Sequence, residues 1–169
     1  LDFAEFLQHF QVIDALKDKI STFHKKHFTK KTIAIHYRHG NGEEWKEIPG
    51  KPRPKNTDEM REQIIHSIRA GIGRSWKSYK YFLCTDSPSG REFLGDIFPS
   101  SFFFPTILPP EGEGALHMHL GVNPVQAIQD SFCEITLMSK AFKIFHTPHS
   151  TFSQISRFNI ASDHQFELF

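Results

Sequence analysis

Helical and strand patterns alternate along this chain, and that order constrains the fold more than any single motif does. In LDFAEFLQHFQVIDALKDKISTFHKKHF, residues Phe6, Phe10, Ile13, Leu16, Ile20 and Phe23 recur at helical spacing with charges between them, which predicts an amphipathic helix with room for one break. KKTIAIHYR then reads as a short buried strand, and GNGEEWKEIPGKPRPKN as a Gly/Pro-rich loop, long enough to be functional or mobile. Thr57 is a candidate N-cap for a second helix with an apolar stripe of Met60, Ile64, Ile65, Ile68 and Ile72, stopping near Gly71 or Gly73. Tyr79 to Cys84 is the next strand, followed by a short helix from TDSPSGREFLGDIFP and an extended piece from SFFFPTIL. PEGEGALHMHLG is loop-like, Asn123 before Pro124 starts a helix expected to reach about Lys140, AFKIFHTP forms a strand, and HSTFSQISRF a short helix capped by Ser150. Helix, strand, helix, strand, helix, strand, helix is the order of a parallel sheet covered on both faces, an α/β doubly wound domain.

At 169 residues the chain is expected to form one domain around one core. Twenty basic against nineteen acidic side chains leave a formal charge of +1, too little to steer the chain onto nucleic acid, so any anion site must be local. Eighteen Phe residues point to a dense aromatic core, although FPSSFFFP (Phe98 to Pro105) also suits a covered cleft. Cys84 and Cys133 fall in apolar elements without a CxxC pattern and read as core thiols of a reducing, cytoplasmic compartment. No apolar run approaches the length of a membrane span and no signal-peptide pattern opens the chain.

In open α/β sheets ligands bind beyond the carboxyl ends of the strands. All three predicted exits are polar. The first carries His36, Arg38, His39 and the turn from Gly40 through Asn41 and Gly42 to Glu43; the second Thr85, Asp86 and Ser87; the third Thr147, His149, Ser150, Thr151 and Ser153. Together they describe a site for a negatively charged nucleotide ligand. Arg38 offers a planar fork for phosphate oxygens, the glycines let backbone approach closely, and a helix start adds N–H donors. Asp86 or Glu134 could accept hydrogen bonds from a base or ribose. On pattern alone, however, Asn41-Gly42 favours a type I′ turn with HYR as an exposed hairpin edge.

GIGRSW (Gly71 to Trp76) follows a helix and lacks a third glycine, so it reads as a helix stop rather than a dinucleotide fingerprint. The pairs His117 and His119, His146 and His149, and His24 and His27 lack HExxH spacing or cysteine partners, and scattered loop histidines describe them better than a metal site.

With the exits on the page, a resemblance is visible. TIAIHYRHGNGE resembles the strand-end HxR motif of the α-1,6-fucosyltransferases, most of all their bacterial nodulation branch, which fucosylates chitin oligosaccharides. YFLCTDSP is similar to the family's second element, a strand ending in an ATDDP-like turn, and FCEITLMSKAFKIFHTPHSTFSQISRF to its third. The resemblance runs from the first helix to about Phe158. It implies a Rossmann-like, C-terminal half of a GT-B glycosyltransferase, with residues 1–169 as a single GDP-fucose domain and the acceptor domain absent from these residues. It implies inverting transfer of fucose to a glycan hydroxyl, without metal or cofactor.

Carried onto this sequence, the donor-binding positions are His36, Arg38, His39, Gly40, Asp86, Ser87, Glu134, Ser150, Thr151 and Ser153. His36 and Arg38 match the positions that hold the diphosphate, and Glu134 stands where the family has Asp near the nucleotide. Ser87 departs from the second acid of the family's TDDP, and His39, Asn41 and Gly42 replace Arg, Asp and Lys of the animal relatives. Arg38 is the expected stabiliser of charge on the leaving diphosphate, and Glu43 or Glu44, chosen by proximity, the expected base. Two alternatives stand beside this reading: a nucleotide-sugar binding module without transfer, and a His-based metal hydrolase.

Overall fold

The computed structural model describes residues 13–40, 58–113, 123–148, 150–157 and 164–168. Helix α1 (Asp14–His27) leads into β1 (Thr32–Tyr37); α2 (Asp58–Ile72) and a 3-10 turn (Arg74–Ser78) lead into β2 (Lys80–Thr85). Next come α3 (Pro88–Ile97), β3 (Ser101–Phe102), α4 (Pro124–Met138), β4 (Lys143–His146), α5 (Thr151–Arg157) and β5 (Gln165–Glu167). The strands form one sheet in the order β3-β2-β1-β4-β5, and every pair is parallel. The doubly wound α/β expectation is met.

Strand β1 sits in the middle. Ala34 is in register with Phe82 of β2 on one side and Ile144 of β4 on the other, and all six of its residues are buried. Such a strand has neither a free edge nor a solvent face, which is why Thr32 to Tyr37 shows no alternation of polar and apolar residues. It also removes the hairpin-edge reading of HYR: both neighbours of β1 are parallel strands, reached by crossovers rather than by a tight turn. The predicted end at Arg38 falls one residue late, since pairing stops at Tyr37.

The side-chain period of two divides the core into layers. Ile33, Ile35, Tyr37, Tyr81 and Leu83 pack against Met60, Ile64 and Ile68 of α2 and Phe93, Leu94 and Ile97 of α3. On the other face Ala34, Phe82, Cys84 and Ile144 pack against Ile20 of α1 and Cys133, Leu137 and Met138 of α4. Phe98 and Phe104 of the FPSSFFFP stretch are buried and Phe102 is packed against the second layer, while Phe103 stays exposed. Both cysteines are buried free thiols.

Local signals account for several boundaries. Asn123 caps α4, its Oδ1 accepting from the N–H groups of Val125 (3.0 Å) and Gln126 (3.3 Å), with Pro124 next in the chain. Gly73 ends α2 at φ 78°, which suits glycine. Three strands were expected, and five are present among the described residues. β3 lies inside the extended SFFFPTIL piece, but β5 was not foreseen: three residues on an edge carry too short a pattern to read. Among the described residues no helix is long and apolar enough to cross a membrane.

Candidate functional site

Strands β1, β2 and β3 extend the sheet to one side, and β4 and β5 to the other, so the reversal of strand order falls between β1 and β4. In open α/β sheets such a point, beyond the carboxyl ends, is where the ligand crevice lies. The first and third exits meet there. The Arg38 N–H donates to Thr147 Oγ1 (2.9 Å), and the Thr147 N–H donates to the His36 carbonyl (2.9 Å).

The second exit holds the first from the other side. Asp86 Oδ1 accepts from the His39 N–H (2.7 Å), and Oδ2 accepts from the Gly40 N–H (3.0 Å). The Arg38 guanidinium, half-buried, has Nε 3.5 Å from Asp86 Oδ2. Gly40 takes φ 91°, and that left-handed turn brings consecutive N–H groups onto one carboxylate. Asp86 was expected at a base or ribose. Its oxygens instead serve the backbone at His39 and Gly40 and the side chain of Arg38, so it positions the turn.

Ser87 also works inward. It caps α3, accepting from the Gly90 N–H (2.9 Å), and its hydroxyl lies 2.8 Å from His39 Nδ1. Both groups are satisfied when Ser87 donates to Nδ1, which puts the imidazole proton on Nε2. Ser89 adds a second hydroxyl 3.4 Å from Nδ1 and is itself held by Glu111 through Oγ (2.8 Å) and backbone N–H (3.0 Å).

His36 is buried at this exit. It is 4% exposed, stacks on Phe152 with ring centroids 5.1 Å apart, and leaves Nδ1 buried without a hydrogen-bond partner. Burial, then the neighbouring His146 and Arg38, push its pKa down to about 3. Without a ligand the ring is therefore neutral, a wall against Phe152 at this exit. Ser153 is likewise turned inward: fully buried, it donates to the Ser150 carbonyl at 3.0 Å. Ser150 is buried as well, and of the expected hydroxyls in that turn Thr151 is the exposed one.

Glu134 projects from α4 into the sheet-facing layer and is 5% exposed. Burial raises its pKa to about 7 against the opposing pull of Thr106 and Arg91. Glu43 and Glu44, with Asn41, Gly42, His149 and the KPRPK stretch, lie outside the described residues. Reading by residue type missed the neighbours that hold these side chains: Ser89 and Glu111 beside His39, and Phe152 against His36. The available signal for Ser89 was its place in the first turn of a helix that follows a strand exit. Among the described residues no three His, Cys, Asp or Glu side chains are grouped to hold a metal ion.

Comparison with known proteins gives the family and the fold. Residues 3–169 match the family model for nodulation protein Z, NodZ. The chain belongs to the NodZ family. It is 29% identical over 154 residues to nodulation protein Z of Azorhizobium caulinodans, covering 89% of this chain and 45% of the relative. It is 28% identical over 160 residues to nodulation protein Z of Bradyrhizobium diazoefficiens, covering 90% and 41%. The chain thus spans less than half the length of these NodZ relatives. Two solved structures share the fold: a NodZ α-1,6-fucosyltransferase co-crystallised with GDP (TM-score 0.61, 18% identity, 89% of this chain and 43% of that one); and one soaked with GDP-fucose (TM-score 0.56, 18% identity, 91% and 44%).

Proposed function

We propose that this NodZ-family chain is the donor-binding, C-terminal half of a GT-B fucosyltransferase that moves fucose from GDP-fucose to a glycan hydroxyl, with inversion and without a metal. Membership in the NodZ family supports the reading, as do the GDP and GDP-fucose in the related crystal structures. The observation that carries it is the placement of Arg38. Its backbone is tied to Thr147 at the crevice between β1 and β4, and its guanidinium is steadied by Asp86. A guanidinium held in place before the reaction needs little reorganisation when negative charge grows on the departing diphosphate, the condition under which electrostatic stabilisation is most effective.

On this account His36 and Phe152 wall the crevice, Thr151 and the N–H groups near it face the phosphates, and Glu43 or Glu44 removes the acceptor proton. A chitin-oligosaccharide-like acceptor follows from the resemblance to the nodulation branch. Because the chain spans less than half of its relatives, what it supplies is the donor side, and binding without transfer is the second reading. Titration with GDP-fucose during thermal unfolding tests the proposal. A rise in melting temperature that EDTA leaves unchanged supports it, whereas no rise, or one that EDTA abolishes, removes it. Release of labelled fucose then separates an enzyme from a binding module.

A further inference from the structure

Helices α1 and α4 each run into the strand that follows, β1 and β4, so their last turns lie beside the amino ends of those strands, at the other end of the sheet from the polar exits. Between the two helices is a groove whose cavity measures about 260 Å³. Lys17, Ser21, His24 and Lys25 line it from α1, and Thr136 and Lys140 from the end of α4. Among the described residues that line it, none is acidic. Lys17 meets Asp14 at 3.0 Å, but no ion pair among the described residues takes up Lys25 or Lys140. The whole chain carries a formal charge of only +1, so the positive charge here is a local concentration. His24 sits within it, half-buried, and burial and then Lys140 lower its pKa below 6.5. The charged groups facing His24 are Lys140 from α4 and Lys17 and Lys25 from its own helix, and all three are cations.

Cations gathered around one groove repel one another, and a compact dianion relieves that repulsion better than a single carboxylate does. A cavity of this size has room for roughly nine waters at about 30 Å³ each, more than a phosphate fills. The remaining lining suits a hydroxylated body. Thr136 Oγ1 already donates to the Phe132 carbonyl (2.8 Å), so what it offers the groove is an acceptor for a ligand O–H. The Ser21 hydroxyl has no partner among the described residues and can donate or accept. Ile20 and Phe132 add apolar surface for the C–H face of a ring. We propose that the groove between α1 and α4 is a second ligand site that takes a small sugar phosphate, with Lys25, Lys140 and His24 around the phosphate and Ser21, Thr136 and Phe132 along the sugar. It stands independently of the donor reading. A bound dianion favours the imidazolium, so binding raises the His24 pKa and draws a proton from solvent.

Nuclear magnetic resonance titration of the full chain with glucose 6-phosphate, at constant ionic strength and with excess GDP present throughout, tests the site. Saturating amide shifts should appear at Ser21 to Lys25 and at Thr136 to Lys140. The His24 imidazole signal, assigned by its loss in His24→Gln, should move its titration midpoint up by about one pH unit or more. Lys25 and Lys140 are exposed, so the double variant Lys25→Gln/Lys140→Gln should fold as wild type does, which circular dichroism checks, and should bind glucose 6-phosphate about tenfold more weakly or worse. Glucose without the phosphate should leave both sets of signals in place, and inorganic phosphate should bind more weakly than the sugar phosphate. Absence of saturating shifts, shifts confined to the strand exits, an unmoved His24 midpoint, or equal affinity in the double variant overturns the site. Inorganic phosphate binding as tightly as glucose 6-phosphate overturns its assignment to a sugar phosphate.

Discussion

At the scale of single residues, Asp86 shows how a side chain at one strand exit shapes the backbone of the next. It gathers the His39 and Gly40 N–H groups and the Arg38 guanidinium onto one carboxylate. Asp86→Ala leaves those partly buried donors unmet and should cost about 1–3 kcal/mol in urea unfolding, together with weaker GDP-fucose binding by Arg38. Glu134 yields a pH prediction with a definite sign. Its folded pKa of about 7 lies above its ordinary value of 4.5. The folded state therefore holds the proton more tightly, and this contribution to stability is full below pH 4.5 and is lost as pH rises to 7. Glu134→Gln removes that dependence, so unfolding midpoints should show the variant gaining on wild type across this window by about 3 kcal/mol. Residue identity made the three polar exits legible. It could not show which groups are buried: Ser87 and Ser153 spend their hydroxyls on the protein, and His36 lies buried against Phe152.

Elements carry the next predictions. Helix α3 approaches β1 and β2 so closely that a Cβ on Gly90 would stand 2.5 Å from Thr85 Oγ1, 2.9 Å from Ser87 Oγ and 3.1 Å from His39 Cβ. Gly90→Ala should push the helix start away from the strand exits, lowering both the melting temperature and donor affinity; unchanged affinity would show that the His39 and Ser87 contact is dispensable. At the start of α4, Asn123→Ala removes the cap on Val125 and Gln126 and should cost about 1 kcal/mol in chemical denaturation. The start of α4 was readable because capping chemistry is local. β5 was not, since its three residues gain their strand identity from pairing with β4, a tertiary effect invisible in so short a stretch.

For the whole molecule, the alternation of helix and strand was enough to predict a parallel sheet, but not the order β3-β2-β1-β4-β5, which depends on which way each crossover turns. That order makes β1 central and brings its exit against that of β4. Composition and spacing left HYRHGNGE nearer to a hairpin than to a site, and the sheet reverses that: Arg38 stands at the point where the strand order turns. The central claim is therefore that Arg38 is the cation on which the donor diphosphate depends. Calorimetric affinity for GDP-fucose, compared between wild type and Arg38→Ala with folding checked by circular dichroism, tests it most directly. The account predicts a loss of about 10-fold to 100-fold with the fold intact, the worth of hydrogen bonds to a charged group, and an affinity within about twofold of wild type would contradict it.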